Sequence, residues 1–105
     1  MKTYEMKYLT LEEIKSWSKI EYLCNDDELT RLGRAAERAV MKTLNRTLDD
    51  LIEKEGEDGD APADVKQATV MLVENFYTHH GTDLDRQRWD LGYGFEFLLK
   101  PYMIL

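Results

Sequence analysis

The sequence predicts an all-α fold, a small helical domain of about four helices with a long central helix and a short C-terminal one. Three observations carry this. Apolar residues recur in steps of three and four across residues 29–44 and 65–76, which is the period of a helix with one buried side. Side chains suited to capping a helix N-terminus stand ahead of each run. No stretch convincingly alternates apolar and polar residues as a half-buried strand would.

The first element opens at Thr10-Leu11-Glu12-Glu13, a capping box in which the Thr and Glu side chains satisfy each other's backbone N–H groups. A short helix from about Leu11 to Trp17 follows, with Leu11, Ile14 and Trp17 inward. Ile20, Tyr22 and Leu23 form a connector apolar enough to pack. Asn25-Asp26-Asp27-Glu28 then starts the second helix, its three acids matched to the positive end of the helix dipole. Leu29, Leu32, Ala36, Ala39, Val40 and Leu44 draw its buried stripe, and Arg31, Arg34, Glu37, Arg38 and Lys42 take the remaining surface. Asn45 ends it.

Thr47-Leu48-Asp49-Asp50 caps a short further turn carrying Leu48, Leu51 and Ile52. From Arg46 to Asp64 there are eight acids against two bases, and Gly56, Gly59 and Pro62 break regular structure, so Glu55 to Ala61 reads as a loop. Pro62 suits the first turn of the third helix, where a missing N–H costs nothing. That helix runs from about Ala63 to His80 and is apolar over more than half its circumference. Gly81 stops it, Thr82 to Asp90 is a charged connector, and Gly92 to Gly94 turns the chain into a closing helix over Phe95 to Lys100, ended by Pro101.

Size and charge limit the function. The 105 residues form one domain, 1–105, with one core, burying about 60 to 65% of the unfolded surface. A net charge of −7 argues against general nucleic-acid binding, which depends on Lys and Arg neutralising phosphates. Cys24 is the single cysteine, as suits a reducing compartment, and the chain shows neither a signal-peptide pattern nor a membrane-length apolar run.

The residues carry little chemistry. His79-His80 are adjacent, so a regular helix points their rings about 100° apart, and no third ligand stands at metal spacing. Asp49-Asp50 and Glu57-Asp58 lie in the most solvated part of the chain, whereas catalytic carboxylates need burial or a partner. Three acids follow Cys24 and would raise its thiol pKa. Gly92 and Gly94 are turn residues with no dinucleotide fingerprint. Catalytic, cofactor and metal sites are therefore all read as none.

Two surface features remain. Arg31, Arg34, Arg38 and Lys42 make a basic stripe on the second helix, suited to solvated or intersubunit pairing, with the acidic loop as a complementary surface. The end of the chain, from Tyr93 to Leu105, has nine aromatic, aliphatic or Met residues in thirteen, although chain ends usually fray. Its candidate interface residues are Phe95, Phe97, Leu98, Leu99, Tyr102, Met103, Ile104 and Leu105. Phe95 to Leu99 are expected to seal the domain, leaving Tyr102 to Leu105 to reach a neighbour.

The order of these pieces resembles the small head-tail connector proteins of tailed bacteriophages and prophages, also described as phage DNA-packaging or QLRG-type proteins. It rests on Thr10 to Lys15, Asp26-Asp27-Glu28-Leu29, Ala35-Ala36 and Asn45-Arg46-Thr47 in the first half. Pro62-Ala63-Asp64-Val65-Lys66-Gln67-Ala68, Leu72 to Tyr77 and Leu98-Leu99-Lys100-Pro101-Tyr102 complete it. Thr78-His79-His80-Gly81 and Gly92-Tyr93-Gly94 depart from the pattern. The resemblance implies a structural head-completion protein of the virion, made in the host cytoplasm, without enzymatic activity. It implies a ring of about a dozen copies beneath the portal, bound to portal and to tail or stopper, with DNA passing through unspecifically and no membrane involved. The alternative is a small helical regulatory or antitoxin-like protein that binds a protein partner or DNA through the basic stripe.

Overall fold

A computed structural model of the chain describes residues 5–18, 20–79, 94, 95 and 97–104. The expected stop at Gly81, the connector over Thr82 to Asp90, the turn at Gly92-Tyr93, and His80 and Leu105 lie outside the described residues. Among the described residues the fold is all-α: α1 (Leu11–Trp17), α2 (Asp26–Leu44), α3 (Leu48–Glu55) and α4 (Ala63–His79). Residues 94, 95 and 97–99 are also helical, and a 3-10 turn at Lys100–Tyr102 follows them.

The caps form as the sequence predicts. Thr10 and Glu13 make the reciprocal capping box of α1. The Asn25 and Thr47 side chains accept from the Glu28 and Asp50 amides to start α2 and α3. Asn45 closes α2 in the left-handed conformation, φ 57°, which Asn tolerates better than most residues.

α2 and α4 pack on each other, and α1 packs against both. Leu29, Ala36, Val40 and Leu44 of α2 meet Val65, Ala68, Val73 and Leu72 of α4 in one core, to which Ile14, Leu51, Phe95 and Leu99 also contribute. Ahead of α1 the chain crosses α2 at Gly33, where a Cβ would run into the Met6 sulfur. Tyr8 and Leu9 follow Met6 into the core.

Four details differ from the sequence-based expectation. α3 is a helix of eight residues reaching Glu55 rather than a single turn, and its Leu51 is fully buried. The acidic loop contains a tight hairpin: Glu57 and Asp60 exchange both backbone hydrogen bonds at 3.0 Å, and Asp58 and Gly59 both take positive φ, 52° and 78°. Such left-handed pairs form the two-residue turns whose twist suits a hairpin. Leu23 does not pack and is 85% exposed, whereas its neighbour Tyr22 meets Tyr77 edge to face at 4.9 Å. Glu37, placed on the polar side by its charge, is fully buried.

Candidate assembly site

Glu37 organises the surface that carries the basic stripe. Its side chain reaches back under the N-terminal segment and accepts from three successive amides, those of Lys7, Tyr8 and Leu9, at 2.8 to 2.9 Å. Arg34 lies 3.5 Å away, one turn earlier on α2. A buried carboxylate is tolerated when it is hydrogen-bonded and paired in this way. Its sequence signal was positional: Leu29, Gly33, Glu37, Val40 and Leu44 step by four, four, three and four along the buried face.

The anchored N-terminal segment forms one wall of an open groove of about 300 Å³. Lys7, Arg34, Arg38 and Lys42 line it, with Met41 and Leu48 adding apolar surface. The structure therefore gathers three of the four stripe residues and adds Lys7. Arg31 is not part of the lining and lies 3.7 Å from Glu28 instead. Arg34 is engaged with Glu37, so the groove offers Lys7, Arg38 and Lys42, all exposed and without a carboxylate partner among the described residues.

The closing segment divides in a way the sequence did not reveal. Phe95 and Leu99 are buried in the domain's own core, and Leu98, Tyr102 and Met103 pack half-buried against it. Phe97 points outward and is 78% exposed. The chain then folds back onto the end of α2: the Ile104 amide donates to the Leu44 carbonyl at 2.9 Å, and Asn45 Nδ2 donates to the Ile104 carbonyl at 3.1 Å. Tyr102 gives its hydroxyl proton to Asp64 at 3.0 Å, and burial together with that carboxylate pushes its pKa up.

Arg46 locks this return. Only 6% exposed, it holds Asp50 through Nε and Nη2 at 2.9 and 2.8 Å, Glu55 through Nη1 at 2.6 Å, and the Tyr102 carbonyl at 3.1 Å. Lys54 and Arg46 together hold the Asp50 carboxyl below its usual range. A second cation, Lys66, ties α4 to Glu13 of α1 at 2.9 Å and to Asp60 of the hairpin. Burial alone would lower the Lys66 pKa, but the two carboxylates reverse the sign and raise it.

Among the described residues no three His, Cys, Asp or Glu side chains stand together as a metal set. The Cys24 thiol is pushed up by burial and by Glu28, away from nucleophilic use. No described helix is long and apolar enough to cross a membrane.

What the geometry offers is a helical body carrying a basic groove, an acidic hairpin and isolated exposed apolar side chains. A family model for the phage gp6-like head-tail connector protein matches residues 8–97, from the Glu37-bound segment to the exposed Phe97. The chain belongs to the phage gp6-like head-tail connector family. Its coarse role follows: it is a structural phage connector and a component of the virion. No curated protein and no solved structure gives a significant match. Arg38 and Lys42 of the groove and the outward Phe97 remain exposed after the domain has closed its own core.

Proposed function

We propose that this connector assembles as a ring beneath the portal of the filled head, extends the DNA channel, and gives the tail or stopper its docking surface. The observation that carries the reading is the family match over residues 8–97. Two structural features support it. Leu23 and Phe97 are large apolar side chains exposed by 85% and 78%, on a domain whose core is closed without them. The surface also segregates charge into a basic groove and an acidic hairpin, an arrangement suited to subunits meeting by unlike faces. Excess negative charge suits a conduit, since like charge suppresses the counterion-release affinity that would make DNA stick. The role needs no catalysis, and its partners are other copies of the chain, portal, and tail or stopper.

Electron microscopy of the chain mixed with the portal of the same phage tests this. A ring seated on the portal is the expected result. A protein that stays monomeric at every concentration and ignores portal would overturn it.

A further inference from the structure

We propose that the basic groove of one copy receives the acidic hairpin tip, Glu57 and Asp58, of the next. The proposal rests on the ring reading above and names the contact that would build it. Three observations converge on a second copy as the occupant.

The first is complementarity. Arg38 and Lys42 line the groove with no carboxylate partner among the described residues, while Arg34 is engaged internally by Glu37. Glu57 and Asp58 are exposed and make no ion pair among the described residues. The other hairpin acid, Asp60, is already held by Lys66.

The second is preparation of the tip. The paired backbone bonds between Glu57 and Asp60, and the Lys66 tether to Glu13 and Asp60, fix the hairpin before any contact forms. A preformed loop loses little conformational freedom on docking.

The third is placement. Leu48, the first residue of α3, lines the groove, and the hairpin follows the last residue of α3, Glu55. Groove and tip thus lie beyond opposite ends of α3, whose own rise is about 10 Å, and are distinct surfaces. Copies that dock groove to hairpin in one direction leave a free groove at one end and a free hairpin at the other, so the contact repeats and closes into a ring where the rotation per subunit allows. A duplex is the poorer occupant, since nonspecific DNA affinity needs many neutralised phosphates and this groove offers few free cations on a chain of net charge −7.

Two charge-reversed full-length chains test the contact: Arg38→Glu with Lys42→Glu, and Glu57→Lys with Asp58→Lys. Circular dichroism first establishes that both fold. Sedimentation velocity and microscopy, with and without portal and at low and high salt, then follow assembly. Each variant alone is expected to assemble about ten-fold or more weakly than wild type. An equimolar mixture restores assembly to within about three-fold, because every groove then faces a hairpin of opposite sign. Wild-type rings that persist unchanged in both variants would overturn the groove contact and leave the ring reading standing. Wild type that never assembles, even on portal, would remove both. Loss that mixing does not repair, or salt-sensitive duplex binding abolished by Arg38→Glu with Lys42→Glu, would assign the groove to another occupant and overturn the proposal.

Discussion

Glu37 holds Tyr8 by its backbone: the Tyr8 amide donates to Glu37 Oε2 at 2.8 Å, between the Lys7 and Leu9 amides that bind the same carboxylate. The carboxylate is a fixed end-point for a segment with no helix of its own, so removing it strands three donors, those of Tyr8 and Leu9 being buried. Glu37→Ala is therefore expected to cost about 3 kcal/mol or more, lowering Tm by roughly 12 °C or more for a domain this size. Glu37→Gln keeps the shape but turns amide hydrogens toward some of those donors, so it should fall between the two. Thermal unfolding followed by circular dichroism measures both, and a Glu37→Ala loss under about 1 kcal/mol would show that the clamp is dispensable.

The Tyr8 side chain predicts an alkaline limit. Thr69 gives its hydroxyl proton to the Val65 carbonyl at 2.8 Å, so Tyr8 is the donor in its 2.6 Å bond to Thr69. Burial, with the Glu37 charge adding to it, holds the Tyr8 proton well above the ordinary value near 10. A raised pKa means the folded state keeps a proton that the unfolded state releases, so the contribution is full below about pH 10 and is lost as pH rises further. Lys66, also raised, acts in the same direction. Tyr8→Phe should cost about 1 kcal/mol at neutral pH and flatten the alkaline decline. Urea titrations at neutral and alkaline pH check the slope.

How much of this was legible differs from element to element. The capping box at Thr10 and the caps at Asn25 and Thr47 could be read directly, because a cap is a local contract between side chain and backbone. The hairpin was also legible, since Asp58-Gly59 is a favoured turn pair, but the surrounding acids made the stretch read as plain loop. Glu37 was hidden by its charge. Its burial depends on amides about thirty residues away, and periodicity within α2 places it correctly only if charge is ignored. The same limit applies to the closing segment, where a run of apolar residues does not show that Phe95 turns in and Phe97 turns out.

Arg46 predicts how the chain end is released. Arg46→Ala removes the link between α3 and the Tyr102 carbonyl, leaving Asp50 and Glu55 without their shared cation. Because both acids are partly exposed, the expected loss is about 1 to 3 kcal/mol, below that for a fully buried pair. Hydrogen exchange is the sharper readout: the Ile104 amide, bonded to Leu44 in wild type, should lose protection while amides in the middle of α4 keep theirs. Unchanged protection at Ile104 would show that the Asn45 and Leu44 contacts hold the return by themselves.

Gly56 should not tolerate a side chain. A Cβ there would lie 2.6 Å from the Asp60 carbonyl oxygen and closer still to the Ile52 carbonyl oxygen, backbone atoms that cannot rotate away. Gly56→Ala is expected to lose about 1 to 3 kcal/mol by crowding, whereas Gly59→Asn, at a left-handed position with open space, should lose far less. Comparable losses in the two variants, measured by denaturant unfolding, would argue against this division of roles.

Phe95 and Phe97, two residues apart, should separate folding from assembly. Phe95 is 6% exposed in the core, so Phe95→Ser should cost about 3 to 5 kcal/mol, close to the whole stability of a small domain. Phe97 is 78% exposed, and Phe97→Ser should leave stability within about 0.5 kcal/mol of wild type. If Phe97 is an anchor between connector copies or against portal, the same substitution should weaken assembly by about 2 kcal/mol, roughly thirty-fold, as for aromatic residues at the centre of interfaces. Portal co-sedimentation of Phe97→Ser beside its melting curve decides this. Wild-type assembly by Phe97→Ser would remove the side chain from the interface and leave Leu23, the groove and the hairpin as the remaining surfaces.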